Sequence, residues 1–226
     1  MPKTYVATAR FGATSDTLDA DGEVVEMDGV RMPSEAEVRA VLPEFTGEIL
    51  QTPPMVSALK IGGERLYELH RRGVTVERKP RRVRVDEFAL ISTGPASGEA
   101  TFEVACSSGT YVRSLVSDLA ASLGTGAYLT ALRRTATGHL RLDDAASPDD
   151  LTPDTLCNRI IQPKKLLGHL PAVEVSAEER KAVCNGGPLG EAGLFGSFRV
   201  ECGGELLAVY RGDGEHAIPE VVLCGG

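Results

Sequence analysis

The sequence predicts an α+β fold: a sheet-built core carrying one well-defined helix, followed by a small β-rich module. Three observations predict it. Tyr5, Ala7, Ala9 and Phe11 alternate with Val6, Thr8 and Arg10, the period of a half-buried strand. Val112, Leu115, Val116, Leu119 and Leu123 recur at helical spacing and Gly124 follows them, so 111–123 reads as a helix with its C-terminal stop. Beyond Pro163, short apolar runs separated by Gly186-Gly187 and Gly203-Gly204 describe several short strands and one helix in a small space.

The remaining elements follow in chain order. Asp16 to Gly22 is rich in turn formers. Ser34 with Glu37 is a capping box for a short helix that Pro43 stops. Pro53-Pro54 excludes a helix interior or central strand, so an irregular excursion runs from about 51 to 80; within it a short helix near 65–72 ends at Gly73. Residues 82–91 and 100–107 read as a strand pair, and alternation returns at 127–132 and near 138–142. Ser176 with Glu179 opens a second capped helix, ending at Asn185-Gly186-Gly187; strands at 198–202, 205–210 and 220–224 complete the module. Two domains are expected, 1–160 and 163–226.

Composition excludes several classes. Of the 226 residues, 42% are hydrophobic and 25% charged, which excludes a disordered chain. The longest uncharged run, Leu119 to Leu132, is too short for a membrane span, and nothing at the N-terminus resembles a signal peptide. Five cysteines with no CxxC pair and no histidine at ligand spacing fit a reducing cytoplasm, with neither a zinc site nor a disulfide scaffold. His70, His139, His169 and His216 are scattered and read as surface or structural residues, and GxGxxG, GxxxxGK[ST], HExxH and GxSxG are all missing.

The formal net charge of −8 argues against a nucleic-acid partner only as an average. Residues 1–57 hold 4 basic and 10 acidic side chains, 58–84 hold 9 and 3, and 85–226 hold 11 and 19. Lys60, Arg65, Arg71, Arg72, Arg78, Lys79, Arg81, Arg82 and Arg84 therefore form a cationic segment inside an acidic protein, suited to a polyanion and equally to a solvated face. Arg113 falls in the first turn of the 111–123 helix, where the helix dipole disfavours a cation by up to about 1 kcal/mol. A carboxylate partner removes that penalty; an arginine turned into solvent avoids most of it. Tyr5 and Tyr111 offer aromatic faces for a base, although core packing is the commoner use of a strand tyrosine.

Four blocks in order carry a resemblance: Lys3-Thr4-Tyr5-x-Ala7; Gly12 and Thr14 to Asp16-Thr17-x-Asp19-x-x-Gly22; Gln51-x-Pro53-Pro54-x-x-Ser57-Ala58-x-Lys60-x-x-Gly63-x-x-x-Tyr67; and Gly109-Thr110-Tyr111-x-Arg113 through Asp118-Leu119 to Leu132-Arg133-Arg134. Together they resemble the bacterial TruB-type tRNA pseudouridine-55 synthases from Lys3 to about Leu151, and the tail after Pro163 is similar to that family's PUA-like RNA-binding module. The resemblance implies a mixed, mainly antiparallel sheet and isomerisation of uridine 55 in the tRNA T loop to pseudouridine, with neither cofactor nor metal. The target base is flipped into a pocket. An aspartate attacks as nucleophile, the glycosidic bond breaks, and the base is re-attached through carbon. Tyr5 matches the tyrosine that stacks on the base and assists proton removal from C5, and Arg113 the arginine paired with the nucleophile. Tyr111 and Leu132 match substrate-pocket positions. The excursion matches a mobile insertion over the T loop, which assigns Lys60, Arg81 and Arg82 to RNA contact.

One departure matters. The family's nucleophile lies in a Gly-Thr-Leu-Asp-Pro motif upstream of the Lys-Thr-Tyr strand, and the 226 residues contain no such motif. Thr17-Leu18-Asp19 imitates it but lies downstream of Tyr5, so Asp19 and Asp16 are read as turn residues. The expectation is a TruB-type synthase with a partial catalytic domain, monomeric and inactive alone, whose Arg113 lacks its carboxylate and whose first strand lacks neighbours. The rival reading is a non-catalytic tRNA-binding or tRNA-folding protein.

Overall fold

A computed structural model describes residues 1–94, 98–190 and 193–224. The chain divides into two compact units, Met1–Ala145 and Ala146–Gly226.

The first unit is built on strands β1 (Lys3–Phe11), β2 (Ala13–Ser15) and β3 (Val24–Glu26), helix α1 (Glu35–Val41), strands β4 (Gly47–Gln51), β5 (Lys60–Ile61) and β6 (Glu64–Arg65), helix α2 (Leu66–Arg71), strands β7 (Arg81–Gly94) and β8 (Glu99–Cys106), helix α3 (Val112–Ser122), and strands β9 (Ala127–Thr137) and β10 (Leu140–Arg141). Six strands form one sheet in the order β10-β9-β1-β8-β7-β4, every neighbouring pair antiparallel. β1 is thus flanked on both sides, Tyr5 opposite Val104 of β8 and Arg134 of β9. This corrects the expectation that it lacks neighbours: the strands covering it come from the far end of the same unit.

The alternation in β1 puts Ala7, Ala9 and Phe11 on the buried face, where they meet Ala100, Phe102, Val104 and Cys106 of β8. Val112, Leu115, Val116 and Leu119 of α3 close over that face with Val38 of α1. Each fully buried leucine or valine here contributes about 1.5–3 kcal/mol. Because side chains change faces at every residue, a one-residue slip of β1 would turn this apolar row outward, so its register is tightly set. The Ser34–Glu37 box caps α1: Glu37 N–H donates to Ser34 Oγ at 3.3 Å and Ser34 N–H to Glu37 Oε2 at 2.8 Å. α3 ends before Gly124, whose φ of 74° takes the left-handed turn that a side chain resists.

The second unit holds α4 (Pro153–Arg159), α5 (Pro163–Leu166), β11 (Ala172–Glu174), α6 (Ala177–Cys184), β12 (Phe195–Cys202), β13 (Glu205–Asp213) and β14 (Ala217–Val222). Its sheet runs β11-β12-β13-β14; β11 pairs with β12 in parallel, the only parallel pair between named strands among the described residues. α6 lays Val183 on Phe198, Val200, Leu207 and Tyr210, a second core separate from the first. Among the described residues no helix of either unit is long and apolar enough to cross a membrane.

A further correction concerns the cysteines. Cys184 at the end of α6 and Cys224 just past β14 form a disulfide, because both elements end against the same core. Closing a 40-residue separation removes about 4 kcal/mol of chain entropy from the unfolded state. Cys184→Ser is therefore expected to lower the stability of the second unit by about 2–4 kcal/mol in urea denaturation, and dithiothreitol to do the same to the wild-type chain. Coincident curves with and without reductant would show that the thiols are unbonded in solution.

Candidate active site

The site forms where the Asp16–Gly22 loop, the segment after β4 and the start of α3 converge. α3 is anchored at its first residues by Gln51, which is 2% exposed. The Tyr111 N–H donates to Gln51 Oε1 at 2.7 Å, and Gln51 Nε2 donates to the Tyr111 carbonyl at 3.0 Å. One turn along, Ser114 Oγ donates to the Thr52 carbonyl at 3.1 Å. A buried amide with both ends satisfied fixes the helix start to β4 far more firmly than solvent-exposed bonds would.

Arg113, two residues past that clamp, reaches three acceptors. Its Nη1 donates to the Thr17 carbonyl and to Asp19 Oδ2, each at 2.8 Å, and its Nη2 donates to the Val56 carbonyl at 2.6 Å. Arg113 and Asp19 are 20% and 26% exposed at their side chains, so the pair is shielded from screening. This corrects the expectation of an unpartnered Arg113. Asp19 also keeps the turn role: its Oδ1 accepts from Thr17 Oγ1 at 2.6 Å and from the Asp21 N–H at 3.2 Å. With both oxygens engaged, Asp19 holds the arginine in place. A guanidinium has five N–H donors; the three bonds leave two of Arg113's available to a further acceptor.

The loop is shaped for this contact. Leu18 has φ of 63°, a left-handed conformation that costs a non-glycine residue about 1–2 kcal/mol. That turn presents the Thr17 carbonyl and the Asp19 carboxylate on the same side of the chain, where Arg113 collects both. Gly22 is required by space: a Cβ there would run into Asp16, Thr17 and Ser15 side-chain oxygens. Glu23 N–H donates to Asp16 Oδ1 at 2.8 Å, and Asp16 Oδ2 meets His70 Nε2 of α2 at 3.2 Å, which ties the insertion to the loop.

Two cavities open on either side of Arg113. One, of about 380 Å³, is lined by Asp19, Ala20, Asp21, Arg113 and the β9 run Leu129 to Leu132. The other, of about 680 Å³, lies under the insertion between Asp16, Asp21, Glu23, Ser57, Tyr67, His70, Arg71 and Arg113. Arg113 and Leu132 thus share a cavity. Tyr5 and Tyr111 line neither. Tyr5 packs against the core beside Cys106 and Arg134; burial raises its phenol pKa, Cys106 adds to the rise, and Arg134 opposes it, so the hydroxyl is neutral at pH 7. Tyr111 is half-buried at the N-cap of α3. Lys60 sits exposed on the β5–β6 hairpin, and Arg81 and Arg82 stand exposed at the start of β7, opposite Gln51 and Leu50. Arg82 comes no closer than 4.0 Å to Glu48. Tyr67 carries Arg65 and Arg71 over its ring at 5.8 and 5.7 Å. Among the described residues no group of three or more His, Cys, Asp or Glu could hold a metal ion.

Asp19 as partner of Arg113 and Gln51 as its anchor are the residues that spacing did not find. Asp19 was legible only as a turn former, and a lone glutamine before two prolines carries no signal of burial.

The chain is similar to known proteins. Residues 1–112 match the model of the TruB family pseudouridylate synthase N-terminal domain. The tRNA pseudouridine synthase B of Mycobacterium ulcerans (strain Agy99) is 38% identical over 224 residues, 98% of this chain and 74% of that protein. That of Azoarcus sp. (strain BH72) is 44% identical over 213 residues, 92% of this chain and 69% of that protein. Among solved structures, a Cbf5-Nop10-Gar1 complex superposes with a TM-score of 0.69 at 22% identity, over 98% of this chain and 66% of that one, a likeness of fold. At 38–44% identity over more than two thirds of each relative's length, the chain belongs to the TruB family of pseudouridylate synthases.

Proposed function

We propose that these 226 residues bind the T stem-loop of tRNA and bring its uridine 55 to Arg113, for isomerisation to pseudouridine by an aspartate of the Gly-Thr-Leu-Asp-Pro type. The observation that carries the reading is the Arg113 fork: three donors fixed on Thr17, Asp19 and Val56, two still available, and a cavity running from the guanidinium to Leu132. A flipped base needs an apolar wall and an edge of fixed donors. Leu129 and Leu132 supply the wall. Arg113 supplies charge for a carboxylate held against the sugar, and Asp19 keeps it aimed. Tyr5, which lines neither cavity, has its role of stacking on the base and relaying the C5 proton from the family resemblance alone. The chain works in this reading as a monomer in the cytoplasm, with neither metal nor cofactor.

The second unit is read as a PUA-like RNA-binding module, a four-stranded sheet backed by one helix. Many of its cations are already engaged: Arg180 with Glu205, Arg199 and Lys164 with Glu201, and Arg211 with Glu220. Arg81 has no ion pair among the described residues and Arg82 only a long one, at 4.0 Å to Glu48, which supports a main phosphate contact on the first unit.

Two measurements test this. In a tritium-release assay on an unmodified T stem-loop, the 226-residue chain is expected to bind without turnover, and a version extended upstream by a segment bearing Gly-Thr-Leu-Asp-Pro to turn over. Turnover by the 226 residues would overturn the need for that segment; no turnover even in the extended protein would favour the tRNA-binding rival. Replacing Arg81 and Arg82 together with alanine is expected to reduce the slope of log K against log salt by about 1–2, whereas Arg211→Ala leaves it unchanged. Equal losses would remove the first unit's claim to the main contact.

A further inference from the structure

The larger cavity contains a polar group with nothing to bond. Ser57 is 6% exposed, its Oγ is buried, and no donor or acceptor lies within reach of that oxygen. The residue itself is held fast: its N–H donates to the Met55 carbonyl at 3.1 Å, and its carbonyl accepts from the Tyr67 N–H of α2 at 3.1 Å. A buried hydroxyl left unpaired destabilises a fold, and Ser57 is one of the residues that line the cavity. Apolar alanine would fill the same space at no such cost, so the hydroxyl at this place calls for a partner from outside the protein.

The walls indicate what that partner is. Asp16, Asp21 and Glu23 face the cavity against His70, Arg71 and Arg113, and of these Arg113 already has its charge paired with Asp19 and His70 contacts Asp16. Three carboxylates make the space unfavourable for a phosphate. A neutral group that both donates and accepts fits it, as the serine hydroxyl does both. Resting on the reading of this site as an RNA-binding one, we infer that Ser57 takes a ribose 2′-hydroxyl of the bound RNA loop, and is the residue that distinguishes RNA from DNA at one nucleotide beside the target base.

The test is a double-substitution cycle on the 226-residue chain, read by fluorescence anisotropy. The probes are an all-ribose T stem-loop and a set with a single 2′-deoxyribose at each loop position. One deoxy position is expected to weaken binding to the wild-type chain by about tenfold, Ser57→Ala to weaken the all-ribose complex by about tenfold, and the two together to cost no more than either alone. The melting temperature of Ser57→Ala should equal or exceed that of the wild-type chain, since an unpaired hydroxyl is removed. Additive losses, an unchanged affinity for the all-ribose loop, or a lowered melting temperature that accompanies the loss would each overturn the assignment. Failure of the wild-type chain to bind the all-ribose loop would instead overturn the RNA-binding reading, and this inference with it.

Discussion

The site depends on one guanidinium. Arg113 touches both the Asp16–Gly22 loop and the segment following β4, and it does so from the first turn of α3, the end of a helix where a cation is least welcome. The Asp19 carboxylate offsets that field, and two backbone carbonyls take up further donors. Remove the arginine and three segments that are remote in sequence lose their common tie, while Asp19 becomes a partly buried charge without a partner. Loss of one member of such a pair costs more than the pair contributes, which makes the arrangement sensitive out of proportion to its size.

Everything around the arginine limits its freedom. Gln51 fixes the backbone two residues before it, and Ser114 fixes the residue after it. Leu18 accepts an unfavourable backbone conformation so that the loop presents its acceptors together, and Gly22 lets the loop close tightly. Strain and close approach sit at the site, and the cost is covered by the apolar packing of Val112, Leu115, Val116 and Leu119 beneath it. The insertion adds a looser layer, joined to the loop through His70 and Asp16.

How much of this could be read from residue order follows the range of the interaction. The capping boxes at Ser34 and Ser176, the α3 stripe and the β1 alternation are local, and all appear where spacing puts them. β9 extends to Thr137, beyond the expected 132, because its polar half continues the pairing along β1 as far as Lys3. β2, β3 and β4 were invisible: three to five residues without clear alternation become strands only because a partner lies beside them. Among site residues, Arg113 and Leu132 meet in one cavity, whereas the contact between Asp19 and Arg113 spans 94 positions and no local pattern announces it. The disulfide between Cys184 and Cys224 is hidden for the same reason.

The place of β1 has a consequence for synthesis. Thr8 bonds across the sheet to Thr101 and to Thr130, partners 93 and 122 residues further along. β1 lies at the centre of its sheet, and both strands that flank it come later in the chain. On the ribosome it must wait, with its row of alanines and Phe11 uncovered, until β9 has emerged. Closure of such distant pairs is slow. The central strand of the first unit therefore stays open to chaperones and to mispairing until residue 137 has been made.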